Sequence, residues 1–474
     1  MAHRKLGIGG FVFKEASEQY NGAMNDQVSI SLPHYIERII GLLEESGFEC
    51  WCVGGCVRDA LLGRDTHDYD LATAADWRET ERILTENGIA VHRTGAKHGT
   101  VTAVVEGEPV EITTYRIDSG YSDGRHPDEV TFARSIQEDL ARRDFTVNAL
   151  AYHPERGLLD CWGGYDDLQA GVIRAVGEPF KRFREDGLRI LRACRFVSQL
   201  GFSLDAETLQ AMTACKMMLS HVSAERITHE LDCLLLGDYV HDALMESIDV
   251  LVAIMPEIAA CKGFDQHTPY HIYEVWEHIA WVVQRSPRTR LARWAALFHD
   301  IGKPAACFFE GERAHFFGHA KLSAVLAEPI MKRLLMAPAF IQQVLTLVKT
   351  HDVQVPATMR SVRRELVRLG GDVELFRTLI GIKRADALAQ SDLSQPRLEL
   401  ANDLERVLDE IEATRAPFTV RQLAVNGHDV MGVGVPSGPA VGQALDAALE
   451  AVIEERVPNE REALLTFIRA NALA

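Results

Sequence analysis

The sequence lacks any apolar run of the about 18 residues that a helix needs to cross a bilayer, so a membrane span is excluded. It also lacks an apolar core of signal-peptide length. The opening stretch MAHRKLGIGGFVFKEASEQYNGAMNDQ is mixed and polar, and reads as a loose leader with Met24 as an alternative start. There is no C-x-x-C pair among the nine scattered cysteines. Cys50, Cys52 and Cys56 cluster in an apolar strand-and-turn context without zinc-ligand spacing, and read as small buried thiols of a cytosolic protein. Internal repeats and low-complexity tracts are missing too. Positive charge is scarce: 50 Lys and Arg stand against 68 Asp and Glu, a formal net charge of -18. As a whole-molecule sum this argues against a nucleic-acid partner, because phosphate contacts need Lys and Arg, but it leaves room for a local basic face.

What is present is ordinary globular material, 47% hydrophobic and 25% charged, in a chain of 474 residues that is too long for one core. Two to four domains are expected. PHYIERIIGLLEESG carries apolar residues at helical spacing and ends at Gly47. A short strand, FECWCV, runs into Gly54-Gly55, and TVTAVVEGEPVEITTYR reads as a hairpin turning at Gly107. From about residue 178 the strand signal fades and helical spacing dominates to the C-terminus. The fold class is therefore α+β, a small α/β head with a mixed or antiparallel sheet followed by helical domains.

Three carboxylates and a glycine turn carry the chemistry of the head. Gly54-Gly55 after a strand lets backbone N–H groups approach phosphate oxygens, the following helix points its positive end at the same anion, and Arg58 adds a charge-assisted contact. Asp68 and Asp70 are two apart, so on a strand they share a face and repel unless a cation lies between them. Strand alternation in Val110-Glu111-Ile112 sends Glu111 to the side away from the core, as a third acid. Such oxygen ligands suit Mg²⁺, which would also hold the phosphates of a nucleotide, as phosphoryl transfer requires.

These residues carry a resemblance. Gly54, Gly55, Arg58, Asp59, Asp68 and Asp70 match the GG-x-V-R-D…D-x-D motif of the class II tRNA nucleotidyltransferases, the CCA-adding enzymes, and the likeness runs through nearly the whole chain after about residue 30. Arg142-Arg143-Asp144-Phe145-Thr146-Val147-Asn148-Ala149 is similar to the family's R-R-D-F-T-x-N-A motif, which implies that Arg143, Asp144 and Asn148 contact the sugar and phosphates of the nucleotide. Read from the residues alone, the same stretch is a capped helix start. Glu185, Asp186 and Arg189 match the family's E-D-x-x-R motif, in which the Asp and Arg select CTP and then ATP by their Watson–Crick edges while the Glu orients the Arg. If helical, Asp186 and Arg189 lie three apart on one face. The positive charge of Lys181, Arg182, Arg184, Arg189, Arg192 and Arg195 gives a basic neck that answers the net-charge objection.

Arg116 to Pro127 reads as a mobile loop, which the resemblance ties to the switch from C to A. Thr94 to Thr100 looks like the CCA-adding branch. The expected activity is template-independent addition of CCA to tRNA from CTP and ATP with Mg²⁺. Addition of A alone to CC-ended tRNA, and poly(A) synthesis, stand as alternatives.

A second site begins at His299-Asp300-Ile301-Gly302-Lys303, after an apolar helix. With His278 upstream and Asp386 downstream it resembles the HD phosphohydrolase pattern, and His319 and His351 add ligands for a second metal. The implied metal is divalent, one of Mn²⁺, Ni²⁺, Co²⁺ or Mg²⁺. His428-Asp429 repeats the dipeptide only superficially and reads as a helix start. The resulting layout is leader 1–33, head 34–150, neck 151–240, HD domain 241–390 and C-terminal tRNA-binding region 391–474, in a cytoplasmic protein.

Overall fold

The computed structural model describes residues 28–66, 68–119, 129–133 and 135–472. The chain divides into two compact units, residues 1–239 with 249–254, and residues 240–248 with 255–474.

The first unit is built on a seven-stranded mixed sheet. Its strands are β1 (Cys50–Val53), β2 (Asp70–Thr73), β3 (Ala90–Gly95), β4 (Thr100–Val105), β5 (Glu108–Thr114), β8 (Leu150–His153) and β9 (Gly157–Asp160), in the order β3-β4-β5-β2-β1-β8-β9. Within this sheet, among the described residues, only β2 and β5 pair in parallel. A separate hairpin joins β6 (Arg116–Ser119) to β7 (Glu129–Phe132). The loop expected over Arg116–Pro127 thus begins as strand β6, and the rest of it lies outside the described residues, as does most of the leader.

Alternation explains the layers. Cys50 and Cys52 of β1 enter one core with Leu71, Val110 and Ile112, while Trp51 and Val53 enter the other with Ala72 and Tyr115. A strand buried on both faces needs apolar residues throughout, which is why CWCV shows no alternation. The helix His34–Glu45 covers the first core with Ile36, Ile39, Ile40 and Leu43. Its end matches the expectation at Gly47: φ is +88°, and Phe48 N–H returns to Leu43 O at 3.0 Å. β4 and β5 form the expected hairpin through Glu106 and Gly107, both at positive φ. The sheet extends to Asp160, so the head–neck line expected after residue 150 falls inside the β8–β9 hairpin. Helices then take over, with Pro179–Glu185, Leu188–Leu200 and Ala224–Leu235.

The second unit is helical apart from one short hairpin. Arg290–Phe298 is its central helix, buried at Ala292, Trp294, Ala295, Ala296, Leu297 and Phe298, and capped by Thr289. Val275–Arg285, Pro338–Thr350 and Val373–Leu388 pack around it. A C-terminal cluster gathers Leu423, Val430, Leu449, Leu464 and Ile468. His428-Asp429 is a helix start, as expected: Asn426 caps Gly427–Gly432 and Asp429 completes the capping box. Among the described residues no helix is long and apolar enough to cross a membrane.

Candidate nucleotide site and metal centre

In the first unit a cavity of about 660 Å³ opens at the ends of β1 and β2. Its wall carries eight arginines (58, 116, 142, 143, 189, 192, 195 and 226) against Asp70, Asp144 and Asp186. A protein with net charge -18 thus concentrates positive charge where an anion would enter.

Gly54 makes the floor. Its φ is +81°, and a Cβ there would lie 2.6 Å from Arg143 Nη1, so only glycine lets that guanidinium pass over the turn. The helix after it, Gly55–Leu61, carries Arg58, which reaches Asn148 Oδ1 at 2.6 Å and pairs with Asp59 at 2.8 Å.

Asp70 and Glu111 are direct partners in the parallel β2–β5 register, and both are exposed on one sheet face while Val110 and Ile112 are buried. Asp68 differs from the expectation of a shared strand: β2 starts at Asp70, so Asp68 stands in the preceding loop. The three carboxylates do not converge within 4.8 Å of one another. Desolvation raises the Asp70 carboxyl to about 6 against the pull of Arg143, and Glu111 and Asp68 push it up further. An acid set with one carboxyl destabilised in this way fits a divalent cation.

The stretch Arg142–Ala149 is not a capped helix start. Asp144 is buried and commits its oxygens to Phe145 N–H (2.8 Å), Asn148 Nδ2 (3.1 Å) and the Arg192 guanidinium (2.6 Å). Burial alone would raise this carboxyl, but Arg192 and Asn148 hold it well below the usual carboxylate range. It orients Asn148 and Arg192 in the wall of the cavity.

Asp186 and Arg189 do not share one helix. The chain breaks between Pro179–Glu185 and Leu188–Leu200, with Asp186 extended at φ −143°, ψ 108°. The close approach of Met218 leaves no room for a side chain at 187, since a Cβ on Gly187 would meet Met218 O at 2.8 Å. Glu185 holds Arg189 Nη1 at 2.7 Å, while the carbonyls of Arg182 and Arg142 take its other N–H groups at 3.1 and 2.8 Å. Asp186 Oδ2 accepts from Arg226 Nη2 at 2.9 Å, and Oδ1 from Leu188 N–H at 3.0 Å. Sequence reading missed Arg226, Phe196 and Glu230. Arg58, Arg192 and Arg195 surround the Phe196 ring at 4.6–5.5 Å, and Glu230 pairs with Arg195 at 3.2 Å. A local cue exists in the i,i+4 spacing of Arg226 and Glu230, but their partners lie far away in sequence.

The second unit brings His278, His299, Asp300, His319, His351 and Asp386 together. Asp300 is central: Oδ2 lies 3.3 Å from His278 Nε2 and 3.1 Å from His299 Nε2, and Oδ1 lies 3.2 and 3.6 Å from His319 and His351 Nε2. Asp386 Oδ1 lies 3.1 Å from His278 Nε2. Each Nδ1 faces a backbone carbonyl: Ala389 for His278, Ala296 for His299, Phe316 for His319 and Val348 for His351, at 2.6–3.2 Å. Those carbonyls require N–H at Nδ1, so in the neutral tautomer every Nε2 lone pair points inward. Three of the carbonyls are at i−3, which exploits the unpaired ends of helices and turns. Asp300 Oδ1 is buried without a hydrogen-bond donor. Four lone pairs and an orphaned carboxylate oxygen, in two groups sharing Asp300, fit one or two divalent cations. Protons are the competing cations. Burial opposes charge on His278 and His319, yet the Asp300 carboxylate prevails, helped at His278 by Asp386, and raises both. Lys303, 2.6 Å from Asp300 Oδ2 and 2.7 Å from Gln266 Oε1, adds a fixed positive charge.

Residues 50–174 match the Poly A polymerase head domain, residues 201–262 the probable RNA and SrmB- binding site of polymerase A, and residues 314–468 the putative tRNA nucleotidyltransferase domain 2. A CCA-adding enzyme of Geobacillus thermodenitrificans is 36% identical over 438 residues, covering 91% of this chain and 95% of its own. That of Lactiplantibacillus plantarum is 33% identical over 447 residues, covering 91% and 94%. The crystal structure of the Bacillus stearothermophilus CCA-adding enzyme in complex with CTP is similar with a TM-score of 0.69 at 30% identity, over 92% of this chain and 96% of that one.

Proposed function

The chain belongs to the CCA-adding tRNA nucleotidyltransferases, and from that membership we propose how its residues divide the work. The tRNA 3′-hydroxyl attacks the α-phosphate of CTP or ATP, and pyrophosphate leaves. Asp68, Asp70 and Glu111 would hold Mg²⁺, which when bound supplies activation of the hydroxyl and neutralisation of the leaving phosphates. Gly54, Gly55, Arg58 and Arg143 grip the triphosphate by backbone N–H groups and guanidinium charge. Asp144 sets Asn148, and Asn148 in turn sets Arg58. Asp186 offers an acceptor edge and Arg189 a donor edge to the base, each held from behind by other residues so that little orientation entropy is lost on binding.

The observation that carries this reading is the cavity in which the glycine turn, Asp70, Asp186 and Arg189 meet within an arginine-rich wall. The test uses a tRNA transcript ending at the discriminator base, with Mg²⁺ and CTP, ATP or both, resolved at single-nucleotide length. Growth by three with both nucleotides and by two with CTP alone is expected. Growth only by one A on CC-ended tRNA would replace this reading with A addition, and long A ladders would replace it with poly(A) synthesis.

A second activity is favoured by the orphaned Asp300 oxygen. His278, His299, Asp300 and Asp386 would hold one divalent metal, and Asp300, His319 and His351 another. Bound there, such metals supply an activated water for phosphoester hydrolysis. Lys303 beside Asp300 would steady a phosphate. Release of inorganic phosphate from a nucleoside 3′-phosphate, lost in His299→Ala, tests it. Activity that survives this substitution would sink it.

A further inference from the structure

The hairpin of Phe308–Glu310 and Arg313–His315 serves neither chemistry described above, and it exposes what a small hairpin ordinarily hides. Phe317 is 78% exposed, Phe309 56% and Phe308 45%. Leaving such side chains in water forgoes the stabilisation their burial would give, so a cluster of them marks a contact surface. The rings are also ordered. Phe308, His315 and Phe317 are separated by 5.4–5.6 Å between centroids, with interplanar angles of 23°, 19° and 36°. Rings already stacked on one another can extend that stack to another planar group, an alignment that an aliphatic partner would not need.

The platform is continuous with the Asp300 centre. Lys303, which touches Asp300, opens the short helix that leads into the hairpin. His319, another Asp300 neighbour, follows Phe317 by two residues. Between the rings stands Phe316, whose carbonyl accepts His319 Nδ1–H at 2.8 Å and whose ring lies 5.6 Å from Lys303 Nζ. A phosphate at the centre would therefore leave its attached nucleoside beside the rings. The charge complement sits at that end, in Lys303. On the hairpin Arg313 is offset by Glu310 and Glu312, so stacking rather than charge must supply the binding there.

We propose that Phe308, His315 and Phe317 form a stacking shelf for the unpaired 3′-terminal base of a single-stranded RNA whose phosphate engages the Asp300 centre. This rests on reading that centre as a phosphohydrolase.

The test titrates the full chain with a 3′-phosphorylated oligoribonucleotide carrying 2-aminopurine as its last base, whose fluorescence falls on stacking. Saturable quenching is expected. Its Kd should rise about tenfold or more in Phe308→Ala/Phe317→Ala, as loss of a base stack implies. It should recover in Phe308→Tyr/Phe317→Tyr and depend only weakly on salt between about 50 and 200 mM, unlike phosphate-dominated binding. Nucleotide addition to tRNA should be the same in all three proteins. An unchanged Kd in the alanine variant overturns the shelf. So does a wild-type dimer in sedimentation that dissociates in the alanine variant while quenching persists, since a second copy would then be the occupant. The centre fails separately: if His299→Ala alters neither metal content nor phosphate release, the phosphohydrolase reading falls, and a tenfold alanine effect would still uphold the shelf as a base-binding surface.

Discussion

Arg226 Nη2 lies 2.9 Å from Asp186 Oδ2, so the helix Ala224–Leu235 pins the acceptor edge assigned to base selection from forty residues away. The pin is needed because Asp186 stands at a helix break, where no regular backbone fixes its side chain.

Arg226→Ala should therefore lower kcat/KM for CTP and ATP about tenfold to a hundredfold, the loss expected for one charge-assisted hydrogen bond at a reading edge. Misincorporation of UTP and GTP should rise. Arg226→Lys should recover part of the selectivity. Equal losses for correct and incorrect nucleotides would show that Arg226 supports only the fold.

Asp70→Asn should abolish nucleotide addition while leaving tRNA binding in a gel shift largely intact. It should also stabilise the protein at pH 7. The Asp70 carboxyl is raised to about 6, so the folded protein binds this proton more tightly than the unfolded chain does. Its ionisation thus costs stability above pH 6, and the cost fades as pH falls towards the ordinary carboxylate range. Melting curves of wild type and Asp70→Asn should differ at pH 7 and converge near pH 4. A lower melting temperature for the variant at pH 7 would contradict the assignment.

Asp300 faces both ligand groups, one with each oxygen. Asp300→Asn should lose all metal retained by the purified protein, whereas His319→Ala should lose only the part held with His351. Elemental analysis decides this, with Mg²⁺-supported addition to tRNA as the unaffected control. Retention of half the metal in Asp300→Asn would show that the carboxylate does not bridge.

Lys383 donates to the carbonyls of His351 and Val353, with no carboxylate among these partners, and burial lowers it to about 8. Its charge is disfavoured in the folded state, so stability should rise with pH from about 8 to 10.5 as the folded state sheds the proton first. Relative to Lys383→Met, wild type should gain on the order of 1–3 kcal/mol across that window in denaturant titrations. A parallel pH dependence in the two proteins would refute the buried charge.

Much of this was legible in the residues because it is written at short range. The helix ending at Gly47, the hairpin at Gly107 and the outward Glu111 follow from periodicity and glycine conformation, which are properties of a few neighbouring residues. The HD residues could be picked out by their resemblance to a known pattern, and the local carbonyl that fixes the Nδ1 of His299, His319 and His351 is only three positions away in each case.

The departures come from contacts distant in sequence. Helical spacing predicted Asp186 and Arg189 on one face, but the chain turns extended at Asp186, whose carboxylate is held by Arg226 of a distant helix. The D-x-D spacing suggested one strand, but pairing of β2 with β5 begins at Asp70 and leaves Asp68 in the loop. Asp144 looked free to bind substrate until Arg192 was brought against it. By itself, then, the sequence determined which chemical groups are available and how each segment folds locally. Only the tertiary structure decided which charges neutralise one another and which remain for a ligand, because a carboxylate in low dielectric takes the nearest cation the fold supplies, whatever its place in the chain.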